Sequence, residues 1–175
     1  MNALAARLVS YGVPEKYAKR VRRRIGYGTE GAVYDLTGGK VLKVNVMAPR
    51  RHSVEALYRR LKGRSWAARM GEHGSLKGRG FWYVAPKLYP LSRRDAALLD
   101  DIGMMYLRHR SGRIQKALYE EYVRDRLEQM PEGLARVVRA ARRAGYRDIH
   151  GANVMRTRDG KFKVIDVESV VRGKR

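Results

Sequence analysis

Glycine recurs at positions 26, 28 and 31 in Gly26-Tyr27-Gly28-Thr29-Glu30-Gly31, between two runs of strand character, and Lys43 follows in the apolar setting Val41-Leu42-Lys43-Val44. Glycine lets the main chain approach a ligand without interference from Cβ and adopt turn conformations that other residues resist. A dinucleotide-binding glycine turn opens a helix, whereas Ala32-Val33-Tyr34-Asp35-Leu36 reads as a strand. The segment is therefore constrained to short antiparallel strands over 25–27, 32–36 and 41–46, with Thr37-Gly38-Gly39-Lys40 as a tight turn between the last two. In the third strand the period of two places Leu42, Val44 and Val46 on one face and Val41, Lys43 and Asn45 on the other. Lys43 and Val41 look into the same space.

The flanking sequence is mostly helical. Residues 2–10 and 14–24 carry helix-like spacing through Leu4, Leu8, Val9, Tyr17 and Val21, with Pro14 suited to a first turn. Beyond Pro49, residues 53–61 place Val54, Leu57, Tyr58 and Leu61 on one helix face, with Glu55 near the start and at an angle to that stripe. Residues 71–80 read as a loop or loosely paired strand, and Phe81-Trp82-Tyr83-Val84 as a buried strand ending at Pro86. Helices are expected over 92–109, 112–129 and 131–144, the last closed by Gly145, and then a β-pair over 153–156 and 162–165 around Arg158-Asp159-Gly160-Lys161. This is an α+β chain.

Two further stretches stand out: Tyr146-Arg147-Asp148-Ile149-His150-Gly151-Ala152-Asn153, and Val164-Ile165-Asp166. The β-pair between them returns the chain, so that Asn153 and Asp166 can converge on one metal ion from opposite strands. Each residue has an ordinary reading when taken alone: Lys43 as a surface lysine, Glu55 as a solvent-facing helix residue, Asp148 as a turn former, Asp166 as a strand end. Their order along one chain is what sets them apart.

In that order, residues 25–168 resemble the protein-kinase-like superfamily. The resemblance implies a bilobal fold: a helical extension over 1–24, a small antiparallel β N-lobe over 25–86 and a reduced, mainly helical C-lobe over 87–175, together one minimal domain. It implies that Gly26, Gly28 and Gly31 lie over the phosphates of ATP and that Lys43 neutralises the α- and β-phosphates. Lys43 would be held by a carboxylate on the next helix, for which Glu55 is the best candidate, since Glu72 sits too close to the following strand. Ile25, Val33 and Val41 would roof the adenine and Met155 would floor it, with 81–88 supplying the fifth strand and a hinge. Asp148 would accept the proton of the acceptor hydroxyl, and Asn153 and Asp166 would hold Mg²⁺.

The implied activity is ATP- and Mg²⁺-dependent phosphoryl transfer to a hydroxyl, foremost Ser or Thr of a protein. Three departures qualify the match. Tyr146-Arg147-Asp148 replaces the usual His-Arg-Asp, with His150 two residues on; Asp166-Val167-Glu168 replaces Asp-Phe-Gly; and nine residues follow Asp166, which leaves no room for an activation segment. The resemblance is thus to a minimal, C-terminally truncated atypical kinase of the kind carried by bacterial viruses, with acceptor recognition left to the basic helices, the N-terminal residues or a partner.

The formal net charge of +22, from 39 Lys and Arg against 17 Asp and Glu, would attract acidic proteins, nucleic acid or nucleotide phosphates. The basic residues are spread over helical segments, so solvated faces and a dedicated polyanion groove both remain readings. With no cysteine and four scattered histidines, disulfides and thiolate metal sites are excluded and a cytoplasmic setting is expected. No run approaches the ~20 apolar residues of a membrane span, so no membrane association is expected. Two alternatives accompany the kinase reading. One is a small-molecule kinase of the aminoglycoside-phosphotransferase type, although a cationic drug would be repelled by this charge. The other is a non-catalytic kinase-like protein binding nucleic acid through arginines, with Trp66, Trp82 or tyrosines stacking on bases.

Overall fold

The alternation along the third strand organises the first part of the chain. In a computed structural model that describes residues 2–28, 31–46, 54–78 and 80–165, Leu42 and Val44 are buried against the N-terminal helices while Val41 and Lys43 are half-buried on the opposite face. The chain divides into two compact units, Met1–Gly63 with Arg69–Lys87, and Arg64–Ala68 with Leu88–Arg175.

The first unit contains α1 (Ala3–Ser10), α2 (Glu15–Ala18), β1 (Val21–Tyr27), β2 (Gly31–Leu36), β3 (Lys40–Asn45), α3 (Val54–Leu61), β4 (His73–Ser75) and β5 (Phe81–Pro86). The strands form one antiparallel sheet in the order β1-β2-β3-β5-β4. Gly38 and Gly39, both at positive φ, make the turn between β2 and β3 that the sequence requires. Asn2 caps α1 by accepting a hydrogen bond from the Ala5 amide at 2.8 Å.

The helix expected over 14–24 ends at Ala18, and the residues from Val21 to Arg24 belong to β1. Tertiary pairing overrides the helical spacing here: Val21 pairs with Leu36 and buries its side chain in the sheet core, which a continued helix would prevent. Arg22, Arg23 and Arg24 stay exposed, a row of charge that suits an edge strand because it discourages pairing with another chain.

One sheet face, carrying Leu36, Leu42, Val44, Trp82 and Val84, is covered by Ala5, Leu8, Val13, Tyr17 and Ala18. The Tyr17 and Trp82 rings lie 5.5 Å apart. The two N-terminal helices therefore serve as the lid of this core. On the other face the carboxylate of Asp35, opposite Val41, meets Lys87 Nζ at 2.9 Å, and the Lys87 amide donates to Gly39 O at 2.9 Å. That pair ties the end of β5 to the β2–β3 hairpin.

The second unit contains α4 (Arg93–Arg110), α5 (Lys116–Glu128), α6 (Glu132–Arg143), a 3₁₀ turn (Gly151–Asn153), and the antiparallel pair β6 (Val154–Arg156) and β7 (Phe162–Val164). Ser92 caps α4 through the Asp95 amide at 3.1 Å. Buried residues recur at helical spacing: Tyr119, Val123 and Leu127 on α5, and Leu134, Val138 and Ala141 on α6. The short segment Arg64–Ala68 runs beside β7, with Val164 N bonded to Trp66 O and Ala68 N to Val164 O, each at 2.8 Å. The architecture is α+β, as the sequence pattern predicts. Among the described residues no helix is long and apolar enough to cross a membrane.

If α1 is part of the core, Leu8→Ala lowers stability by about 2–5 kcal/mol in urea denaturation, whereas Leu118→Ala, at an exposed position, leaves it unchanged; a neutral Leu8→Ala would show α1 to be dispensable. For the ion pair, Lys87→Met strands the Asp35 carboxylate and costs about 1–3 kcal/mol, most of which the double variant Asp35→Val/Lys87→Met recovers.

Candidate functional site

The loop after α6 is built around one buried carboxamide. Asn153 is 5% exposed, and its Nδ2 lies 3.3 Å from the Tyr146 hydroxyl, 3.1 Å from Asp148 O and 3.3 Å from Asp148 Oδ2. Its backbone N donates to His150 O at 2.9 Å. Tyr146 is itself buried, stacked on Trp66 with ring centroids 6.0 Å apart. A backbone carbonyl can only accept, so Asp148 O fixes which end of the amide faces it and turns Oδ1 the other way. That oxygen is a hard donor of the kind Mg²⁺ takes, so Asn153 fits the metal role expected of it.

Asp148 is brought to Asn153, with its backbone anchored and its side chain 57% exposed. One carboxylate oxygen takes the Asn153 amide and the other lies 3.7 Å from His150 Nε2. The arrangement leaves the carboxylate open to an approaching hydroxyl. From behind, α4 presses on the loop: Asp100 Oδ1 accepts from the Gly151 amide at 2.7 Å, and a Cβ at Gly151 would lie 2.9 Å from Ala96 Cβ, so only glycine permits this approach.

The β6–β7 hairpin returns as expected, with Ile165 N donating to Asn153 O at 2.8 Å. Asp166, with Val167 and Glu168, lies outside the described residues. Met155 is half-buried in β6, opposite Lys163, whose Nζ donates to Ser65 O.

In the first unit, Lys43 is half-buried on β3 between Val33 of β2 and Tyr83 of β5, with Nζ 6.0 Å from the Tyr83 ring centroid. Val33 and Val41 are half-buried, Ile25 is 43% exposed, and Gly26 pairs with Val33. The glycines have separate reasons to be there. A Cβ at Gly31 would sit 2.1 Å from Val44 O, so the sheet itself demands glycine. Gly28 donates its amide to Gly31 O at 2.9 Å, has no left-handed φ, and among the described residues has nothing within 4 Å of where a Cβ would be. Among the described residues neither packing nor backbone conformation requires glycine at 28, which fits a ligand that comes close to the main chain. Thr29 and Glu30, at the tip, lie outside the described residues.

Glu55 sits exposed in the first turn of α3, and its carbonyl accepts from Arg59 Nε at 3.4 Å. Among the described residues no ion pair joins Glu55 to Lys43. Glu72 is committed elsewhere, to Lys16 Nζ at 2.6 Å, and that hydrogen bond holds its carboxyl below the usual range. Trp66 and Trp82 are each 5% exposed, so neither is available to stack on a nucleic-acid base. The sequence pattern missed Asp100, Trp66 and the structural part played by Tyr146. For Tyr146 the signal was at hand, since a tyrosine beside Arg147-Asp148 carries a hydroxyl that can reach inward. For Asp100, 51 residues from its partner, there was none.

No protein-family model matches this sequence, and no curated protein matches it. Among solved structures, the aminoglycoside phosphotransferase from Alicyclobacillus acidocaldarius subsp. acidocaldarius DSM 446 is similar at 18% identity and a TM-score of 0.37. The match covers 89% of this chain, which spans 66% of that structure's length.

Proposed function

We propose that this protein is an ATP- and Mg²⁺-dependent phosphotransferase that moves the γ-phosphoryl group of ATP to a hydroxyl, with Ser or Thr of a protein as the acceptor. The observation that carries the reading is the Asn153 carboxamide, buried and tied to both the backbone and the carboxylate of Asp148. A turn-forming aspartate needs no such support. A proton acceptor that must stay beside a metal-binding oxygen does.

In this reading the acceptor oxygen attacks the γ-phosphorus in line, the bond to the β–γ bridging oxygen breaks, the acceptor proton passes to Asp148, and ADP leaves. Bound Mg²⁺ supplies neutralisation of the phosphate oxygens. Asn153 Oδ1 and the Asp166 carboxylate would hold that ion, Lys43 would balance the α- and β-phosphate charge, and Glu55 would have to move to Lys43 to orient it. The main chain at Gly26, Gly28 and Gly31 covers the phosphates, and Ile25, Val33, Val41 and Met155 contact the adenine. Most of the rate enhancement in such a site comes from charge placed in advance, not from covalent chemistry. The net charge of +22 supports an acidic protein acceptor over a cationic small molecule, and the buried tryptophans count against a base-stacking nucleic-acid platform.

Incubation with radiolabelled ATP should give Mg²⁺-dependent phosphate incorporation into an acidic protein substrate or into the chain itself. Asp148→Asn should slow transfer about 10²- to 10⁴-fold without lowering the melting temperature, because the side chain is exposed and asparagine keeps an acceptor for Asn153; full activity in this variant would remove the role assigned to Asp148. Gly28→Val should weaken ATP binding by calorimetry at unchanged stability, whereas Gly31→Val should unfold the sheet. Equal ATP affinity in Gly28→Val and the parent would show that no nucleotide lies over that turn.

A further inference from the structure

One stripe of α4 runs outward from the candidate catalytic loop. Asp100, Met104, Leu107, Arg108 and Ser111 share a helix face by their spacing, opposite the side that buries Leu99 and Ile102. At its inner end Asp100 holds the Gly151 amide. One turn on, Met104 is 53% and Leu107 63% exposed, and with Arg108, Ser111 and Arg113 they line a groove. The turn after α4 folds back to complete it: the Arg113 amide donates to Arg108 O at 2.9 Å, and Gly112 takes a positive φ.

The chemistry of this groove is uneven in an informative way. In the second unit Arg126 is matched with Asp101 and Arg142 with Glu120. Among the described residues neither Arg108 nor Arg113 meets a carboxylate. Two large apolar side chains left in water between two guanidiniums without acidic partners form a small surface whose complement is acidic with apolar anchors. Methionine and leucine adapt to varied apolar side chains, and arginine takes carboxylates in a two-pronged geometry.

We infer that this α4 groove docks an acidic segment of a partner protein, seating its apolar side chains on Met104 and Leu107 and its carboxylates on Arg108 and Arg113. That the partner is the phosphoryl acceptor rests on the function proposed above; the docking itself does not. Nucleic acid fits less well, because no aromatic side chain lines the groove for bases to stack on. A membrane surface fits less well, because two apolar side chains are too few to anchor in the headgroup layer.

The test is fluorescence anisotropy of the full chain with a fluorescein-labelled peptide of glutamates carrying leucine at every third or fourth position. A companion peptide has each leucine replaced by alanine, and a single-stranded RNA and phosphatidylserine vesicles serve as competing probes. The leucine peptide should bind, and binding should weaken about tenfold in Met104→Ser/Leu107→Ser and in Arg108→Gln/Arg113→Gln, both at unchanged melting temperature and unchanged ATP binding. Equal binding of the alanine peptide, unaltered binding by either double variant, or loss of RNA or vesicle binding in place of peptide binding would overturn the proposal. So would a dimer that Met104→Ser/Leu107→Ser converts to monomer, since the groove would then belong to a second copy. Asp148→Asn should bind the peptide as the parent does, so a failure of the phosphotransferase reading shows in transfer assays and leaves this result standing.

Discussion

Burying a carboxamide without partners costs about 1–3 kcal/mol, and the segment from Tyr146 to Asn153 is arranged so that this cost is not incurred. The Tyr146 hydroxyl and two oxygens of Asp148 surround the Asn153 amide. Tyr146 can offer its hydroxyl there because its ring is buried against Trp66, which the segment Arg64–Ala68 brings alongside β7. The outcome is a loop whose backbone is held from inside while the Asp148 carboxylate remains exposed. Rigid main chain and accessible carboxylate are what the proton-accepting role proposed for Asp148 requires.

The sheet of the first unit divides its labour between its faces. Apolar residues on one face need a cover, and α1 and α2 supply it; the opposite face is left to Val33, Val41, Lys43 and the Asp35–Lys87 pair. Without the helices, Trp82, Leu42 and Val44 would face water. The glycine turn at the end of β1 shows the same division on a smaller scale. Gly31 answers to the neighbouring strand, while nothing among the described residues holds position 28 to glycine.

Excess positive charge is distributed unequally in function. Arg22, Arg23 and Arg24 guard a sheet edge, and Arg126 and Arg142 are neutralised by nearby carboxylates. The arginines bordering Met104 and Leu107 have neither duty, and Arg108 lies on the same helix as Asp100, the residue that grips Gly151. Net charge alone did not distinguish these roles.

What the sequence by itself determined was local. The faces of β3, the turn at Gly38-Gly39, the helix over Val54–Leu61, the three long helices and the β6–β7 hairpin follow from periodicity and turn chemistry, because backbone geometry acts over a few residues. The proximity of Asp148 and Asn153 was legible for the same reason, being five positions apart in one loop. Only the tertiary structure decided that Val21 to Arg24 join the sheet instead of extending a helix, that α1 and α2 close a core, that Trp66 backs Tyr146, and that Asp100 holds Gly151. Those pairings join residues far apart in the chain. They exist because burial of apolar surface selects one way of closing the chain among many whose local patterns are equally satisfied.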